Sequence, residues 1–311
     1  MKSETTKARF DILGKRKIAV VVSAVLIVCA ITAIVTRGLE LGVDFTGGYL
    51  IEVAYPEAVE IQPIRQQLDT GGFADAAVQH FGSARDVLVR VSPREGVNSA
   101  SLSQSILDVL GADGAKIAMR RVEFVGPQVG DELREQGGLA VLYALIGIVI
   151  YIWLRFEKKF SIGSVAALVH DVLITVGFFA AFRLEFDLSV LAAILAVIGY
   201  SLNDTIVVFD RIRENFRKMR KGTPVEVMNI SINQTLSRTV ITSTTTLLVL
   251  IALFVLGGEV ISGFALALIV GVVIGTYSSI YVASTSVLAL GITKQDLMPV
   301  EKEGADIDAT P

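Results

Sequence analysis

Apolar residues fall into six long runs, and a single polar stretch, residues 37–136, separates the first run from the other five. The runs are 18–36, 138–154, 162–182, 188–209 and 240–256, with a sixth inside 261–290. Each is long enough for a helix that crosses a bilayer. The run 18–36 is too long for the apolar core of a signal peptide. No small-x-small cleavage motif follows it before Arg37, so it is expected to remain as a first membrane helix. Polar segments, 1–17 and 293–311, close the two ends, and the second is expected to be disordered.

The stretch 37–136 has a different texture, with charges, glycines and four of the seven prolines. Residues 48–55 alternate Tyr49, Ile51 and Val53 against Leu50, Glu52 and Ala54, which predicts a strand. Ile61, Ile64 and Leu68 recur at helical spacing and Gly71 follows them, which predicts a helix over 63–69. Strands are expected at 76–81 and 86–91, joined by Gly82-Ser83-Ala84-Arg85. A helix over 101–110 presents Leu102, Ile106 and Val109 on one face, and 117–124 is a last strand. The order βαββαβ is the split βαβ, or ferredoxin-like, pattern. The expected architecture is therefore an α-helical polytopic membrane protein with one α+β ferredoxin-like domain between its first two spans.

Composition agrees with that class. The chain has 311 residues, 52% of them hydrophobic and 19% charged, with mean hydropathy +0.62, more apolar than a soluble domain of this length. A net charge of −3 gives no bulk attraction to nucleic acid. Cys29 is the single cysteine, which excludes an internal disulfide framework, and it has no metal-ligand spacing around it. Basic residues set the orientation. Lys2, Lys7, Arg9, Lys15, Arg16 and Lys17 precede the first span, and Arg155, Lys158 and Lys159 follow the second. Arg211, Arg213, Arg217, Lys218, Arg220 and Lys221 follow the fourth. The opposite side carries only Arg183 between spans three and four, and no basic residue in 257–260. Both termini are then expected in the cytoplasm and 37–136 outside it.

Candidate chemistry lies in the fourth span. Asp204 sits seven residues before Arg211, roughly 10 Å along a helix. An intramembrane carboxylate costs about 3 kcal/mol and marks a pathway, a relay or a helix partner. Asp204 shares a face with Ser201 and Val208, and it either relays protons or pins helices through an ion pair. Arg238 opens the fifth span at a similar depth, and either pairs with Asp204 or reaches out to the headgroups. Behind it run Thr239, Thr242, Ser243, Thr244, Thr245 and Thr246, a hydroxyl face suited to water or to interhelical hydrogen bonds. His170 and Asp171 fall near the middle of the third span, where adjacent residues point about 100° apart, so that at most one faces a given partner. Enzyme motifs are missing: no Gly-x-Gly-Asp or Gly-x-Ser-Gly intramembrane protease motif and no Walker loop.

Six motifs carry a resemblance. They are F-D-I-L-G-K-R before the first span, G-V-D-F-T-G-G after it, and V-G-P-Q-V-G-D-E-L before the second. G-Y-S-L-N-D-T-I-V-V-F-D-R-I-R-E follows in the fourth, then N-Q-T-L-S-R-T-V-I-T-S and G-T-Y-S-S-I-Y-V-A. Together they resemble the smaller subunits of the SecD/SecF family of bacterial protein-export membrane proteins, in the resistance–nodulation–division superfamily. The resemblance implies six spans and one periplasmic ferredoxin-like domain in the inner membrane. It implies a complex with SecD beside the SecYEG channel and other translocon accessory proteins, acting on unfolded preprotein after the SecA motor. It implies no cofactor other than the proton gradient. The family's coupling aspartate falls on Asp204 and its arginine on Arg238. Asn203, Ser201, Thr242, Asp171 and His170 are the polar residues expected to support them. A second essential aspartate belongs to SecD. The alternatives are half of a small-molecule exporter of the same superfamily, and a structural subunit that moves no protons.

Overall fold

A computed structural model describes residues 10–93, 99–112, 114, 116–219 and 221–297. Lys2, Lys7, Arg9, Arg220 and the end of the expected disordered tail, 298–311, lie outside the described residues.

Among the described residues, six helices are long and apolar enough to cross a membrane. In chain order the elements begin with α1 (Arg16–Arg37), β1 (Glu40–Leu41), α2 (Val43–Thr46), β2 (Gly48–Ala54), α3 (Ile61–Thr70) and β3 (Ala77–Phe81). Then come β4 (Ser83–Val91), α4 (Ser99–Leu110), β5 (Ala118–Val125), α5 (Pro127–Arg155) and α6 (Lys158–Phe182). The chain continues through β6 (Glu185–Phe186), α7 (Leu188–Lys218), α8 (Pro224–Leu256), α9 (Glu259–Ile280) and α10 (Val282–Ala289). Helix α5 starts at Pro127, eleven residues ahead of the apolar run, and α7 runs nine residues past it. The largest departure is α8. Thr223 and Glu226 form a reciprocal capping box with Pro224 in the first turn, so the helix starts well before residue 240. Val227, Met228, Ser231 and Ile232 on its added turns are buried, which is what extends it. Arg238 therefore lies inside a continuous helix rather than at its start.

Four strands form one antiparallel sheet in the order β3-β4-β2-β5, and β1 pairs separately with β6 in parallel. Tyr49, Ile51 and Val53 of β2 pair with Val91, Val89 and Val87 of β4. These residues and Ile64, Leu68, Leu102 and Ile106 from α3 and α4 form one buried core. A bulge between Glu52 and Val53 sets Arg120 out of register on β5.

The helices pack through small residues. A Cβ on Gly177 of α6 would lie 2.5 Å from the Ala30 Cα of α1, and one on Gly271 of α9 would overlap Val197 of α7. Such close approach is how membrane helices gain contact. Two apolar clusters fill the bundle. Phe45, Phe179, Phe186, Val190 and Ile194 form one at the domain end. Ile152, Phe160, Phe209, Ile212, Met228 and Leu13 form the other. The tail is ordered at its beginning, contrary to expectation: Gln295–Leu297 forms a 3-10 turn, Leu297 is buried, and Asp296 pairs with Lys159 at 2.8 Å.

Candidate functional site

Helix α7 positions the candidate residues. Asp187 caps it, its carboxylate accepting from the Val190 N–H at 2.8 Å. The helix then runs without proline from end to end. On its inner face Val197, Ser201, Asp204 and Val208 are all buried. Asn203 is on the outer face, exposed.

Asp204 is 5% exposed, and among the described residues its Oδ2 has no hydrogen-bond partner. Arg238 is the charged group that acts on it electrostatically, yet the two form no ion pair among the described residues. Arg238 itself faces outward on α8. The expected hydroxyl face on that helix divides. Thr242 donates to the Arg238 and Thr239 carbonyls at 3.0 Å, and Thr245 and Thr246 also bond back to their own helix. Ser243 points inward, 2.7 Å from the Thr276 hydroxyl of α9, and accepts from the Tyr200 hydroxyl of α7 at 3.3 Å. Thr239 is buried with its Oγ1 unpartnered, like Asp204 Oδ2.

The dense polar centre forms around Asp171 instead. Its Oδ2 accepts from Ser201 of α7 at 2.5 Å and from Ser278 of α9 at 2.6 Å. Its Oδ1 lies 2.8 Å from Nδ1 of His170. The other His170 nitrogen, Nε2, lies 3.2 Å from the Ser23 hydroxyl of α1. Ser23 is 3.0 Å from the Tyr277 hydroxyl, which donates to the Ala19 carbonyl at 2.7 Å. Asp171 and His170 are both almost fully buried. His170 and Asp171 bond each other but reach different partners, Asp171 toward α7 and α9 and His170 toward α1, so no third group among the described residues faces both, and the two share one network across α1, α6, α7 and α9. Ser23, Tyr277 and Ser278 escaped sequence reasoning. Serine and tyrosine in an apolar run carry little signal alone, although Tyr277 and Ser278 fall within the G-T-Y-S-S-I-Y-V-A motif.

Ser201 thus sits one turn from Asp204 on α7 while bonded to Asp171 of α6, so one serine stands between two carboxylates with opposite degrees of satisfaction. The arrangement can bind and release a proton at Asp204 and hold a fixed hydrogen-bond geometry at Asp171. No cluster of three or more His, Cys, Asp or Glu suited to a metal ion occurs among the described residues.

Comparison with known proteins follows the same lines. Residues 106–293 match the family model "Protein export membrane protein SecD/SecF, C-terminal", and residues 32–55 match the "SecD/SecF GG Motif". Protein translocase subunit SecF of Vibrio alginolyticus is 55% identical over 298 residues, 95% of each chain. SecF of Escherichia coli O157:H7 is 47% identical, over 92% of this chain and 90% of its own. The crystal structure of SecDF, a translocon-associated membrane protein from Thermus thermophilus, superposes with a TM-score of 0.82 at 38% identity. That alignment covers 93% of this chain and 39% of the SecDF chain, so this chain spans well under half of that protein.

Proposed function

This chain belongs to the SecD/SecF family of protein export membrane proteins, and from that premise we propose that it uses the proton-motive force to assist late translocation and release of preproteins. It acts with SecD beside the SecYEG channel, as a transport component rather than an enzyme, with the proton gradient in place of a cofactor. The family and the six apolar helices make it a membrane component of protein translocation. In the proposed setting it lies in the bacterial inner membrane with both termini in the cytoplasm. Arg155, Lys158, Lys159, Arg211 and Arg213 at one end of the bundle support that orientation. The stretch 37–136 is then periplasmic, and the order β3-β4-β2-β5 with two helices on one face supports a ferredoxin-like reading of it.

The observation that carries the proposal is Asp204: a buried carboxylate in an apolar helix, one oxygen unpartnered, with Arg238 near but not in contact. A permanently paired carboxylate would be a strut. An unpaired one is free to exchange a proton when water access or the Arg238 distance changes. One proton crossing the membrane releases roughly 2.3 kcal/mol per 100 mV. That energy shifts a two-state equilibrium by about fifty-fold. The exposure of Arg238 and Asn203 on outward faces of spanning helices supports a partner subunit that covers them, since polar groups at membrane depth turn toward protein rather than lipid. SecD is that partner in this reading, and it completes the proton path.

The test is export of a secreted reporter in cells whose only copy carries Asp204→Asn, with SecD assembly checked by pull-down. Loss of export with assembly intact is expected. Normal export would overturn the proton role and leave the chain as a structural subunit.

A further inference from the structure

The segment between α1 and the sheet is placed by contacts that hydropathy does not explain. Helix α2 (Val43–Thr46) is a single turn, followed by Gly47 at φ +66° and Gly48 at φ +130°. A Cβ on Gly47 would lie 2.9 Å from the Pro127 Cα, at the first position of α5. A Cβ on Gly130, one turn into α5, would lie 2.7 Å from the Gly47 nitrogen. The backbone of the turn therefore rests directly on the backbone of α5. Phe45 from the same turn is buried at the head of the bundle against Phe186 and beside Val190 of α7. The Asp44 carboxylate accepts from the Leu188 N–H, the first amide of α7, at 3.1 Å. Gly42 donates to the Phe186 carbonyl at 2.9 Å. On its other side the turn continues without a spacer into β2, the strand between β4 and β5 in the sheet.

We propose that this turn is the mechanical link that carries displacement of α7 into the extramembrane sheet, with Asp44 as its positioning residue. The inference rests on the reading of Asp204 as the proton-coupling group. Asp204 and Leu188 lie on one proline-free helix, sixteen residues and roughly 24 Å apart. A helix of that kind moves as a rod, so a shift at Asp204 reaches Leu188 undiminished. The Asp44 hydrogen bond passes it to the turn. Because Gly47 and Gly130 touch backbone to backbone, no flexible side chain absorbs it, and β2 follows. α5 serves as the surface against which the turn bears.

The test uses the full chain assembled with SecD in proteoliposomes, with Cys29→Ser and labels at Ser105→Cys on α4 and Leu256→Cys at the end of α8. Two variants break the link in different ways. Asp44→Ala removes the acceptor. Leu188→Pro removes the donor at the first helical position, where proline is tolerated, after Asp187 whose extended backbone suits it. Asp44→Asn keeps an acceptor oxygen and is the rescue. Both breaking variants are expected to retain Asp204-dependent proton uptake while losing the gradient-driven change in label distance and losing export, and Asp44→Asn is expected to keep all three. A purely structural residue would not separate uptake from movement. Movement that persists in both breaking variants overturns the proposal, as does uptake lost together with movement, or failure of both to assemble. Absence of Asp204-dependent uptake in the unmodified complex instead removes the underlying reading, and this one with it.

Discussion

Asp171 and Asp204 are both membrane carboxylates, but the bundle treats them differently. Asp171 is bonded by Ser201, Ser278 and His170. Two of these bonds are interhelical, and such bonds in membranes are worth roughly 0.6–1.7 kcal/mol each, so Asp171→Ala is expected to destabilise the chain by about 1–3 kcal/mol. Asp204→Asn breaks no hydrogen bond at Oδ2 and keeps the shape of the side chain, so its stability is expected to match the parent's. Denaturation in mixed micelles compares them, and equal midpoints for Asp171→Ala and the parent would show the network to be slack. The identity of both aspartates as unusual residues was legible from their surroundings in the sequence. Which of the two would be satisfied was not, because that depends on Ser201 and Ser278 arriving from α7 and α9, which are distant in the chain.

At the scale of the element, glycines report where helices touch. Gly177→Ala would force a Cβ into the backbone of α1 at Ala30, and overpacking of this kind costs about 1–3 kcal/mol. Gly138→Ala in α5 meets nothing within 4 Å, and removing a helical glycine gains about 0.5–1 kcal/mol. Unfolding midpoints of the isolated chain are expected to move in opposite directions for the two, and a shared direction would contradict the packing. Hydropathy located every spanning helix because an apolar run is a local property. It located their ends poorly. The added turns of α8 are half polar in sequence, and they are helical because a capping box starts them and Val227, Met228 and Ile232 bury one side. The strands of the sheet were easier, since alternation of period two needs only neighbouring residues to be visible.

For the whole molecule, the question is how the extramembrane domain sits on the bundle. β1 and β6 form a short parallel pair, and Arg90 of β4 bonds Glu185 at 2.6 Å and the Leu41 carbonyl at 2.9 Å. Burial raises the Glu185 pKa above the ordinary glutamate value, and Arg90 opposes the shift without cancelling it. A raised carboxyl contributes stability that is full below its unfolded value and is lost as pH rises through the folded one. Docking of the domain is therefore expected to tighten from neutral pH toward pH 4–5. Hydrogen exchange at Leu41 and Phe186, corrected for intrinsic rates, measures this. Glu185→Gln is expected to flatten the profile, and Arg90→Ala to enlarge it. A pH-independent wild type would exclude Glu185 as a determinant of docking.

The sequence by itself determined the six helices apolar enough to span and the order from β2 to β5 in the stretch between the first two, but not β1 and α2 that precede β2. Each follows from hydropathy or periodicity over ten to twenty residues, and neighbours along the chain suffice to express it. The family followed too, since its motifs are contiguous strings. Tertiary structure alone decided the rest: that His170 and Asp171 join one network, that Asp204 keeps an unpartnered oxygen, that Arg238 turns outward, and that Gly47 rests on Gly130. Those facts depend on which faces of distant helices meet and how closely, and packing sets them only when the whole bundle closes.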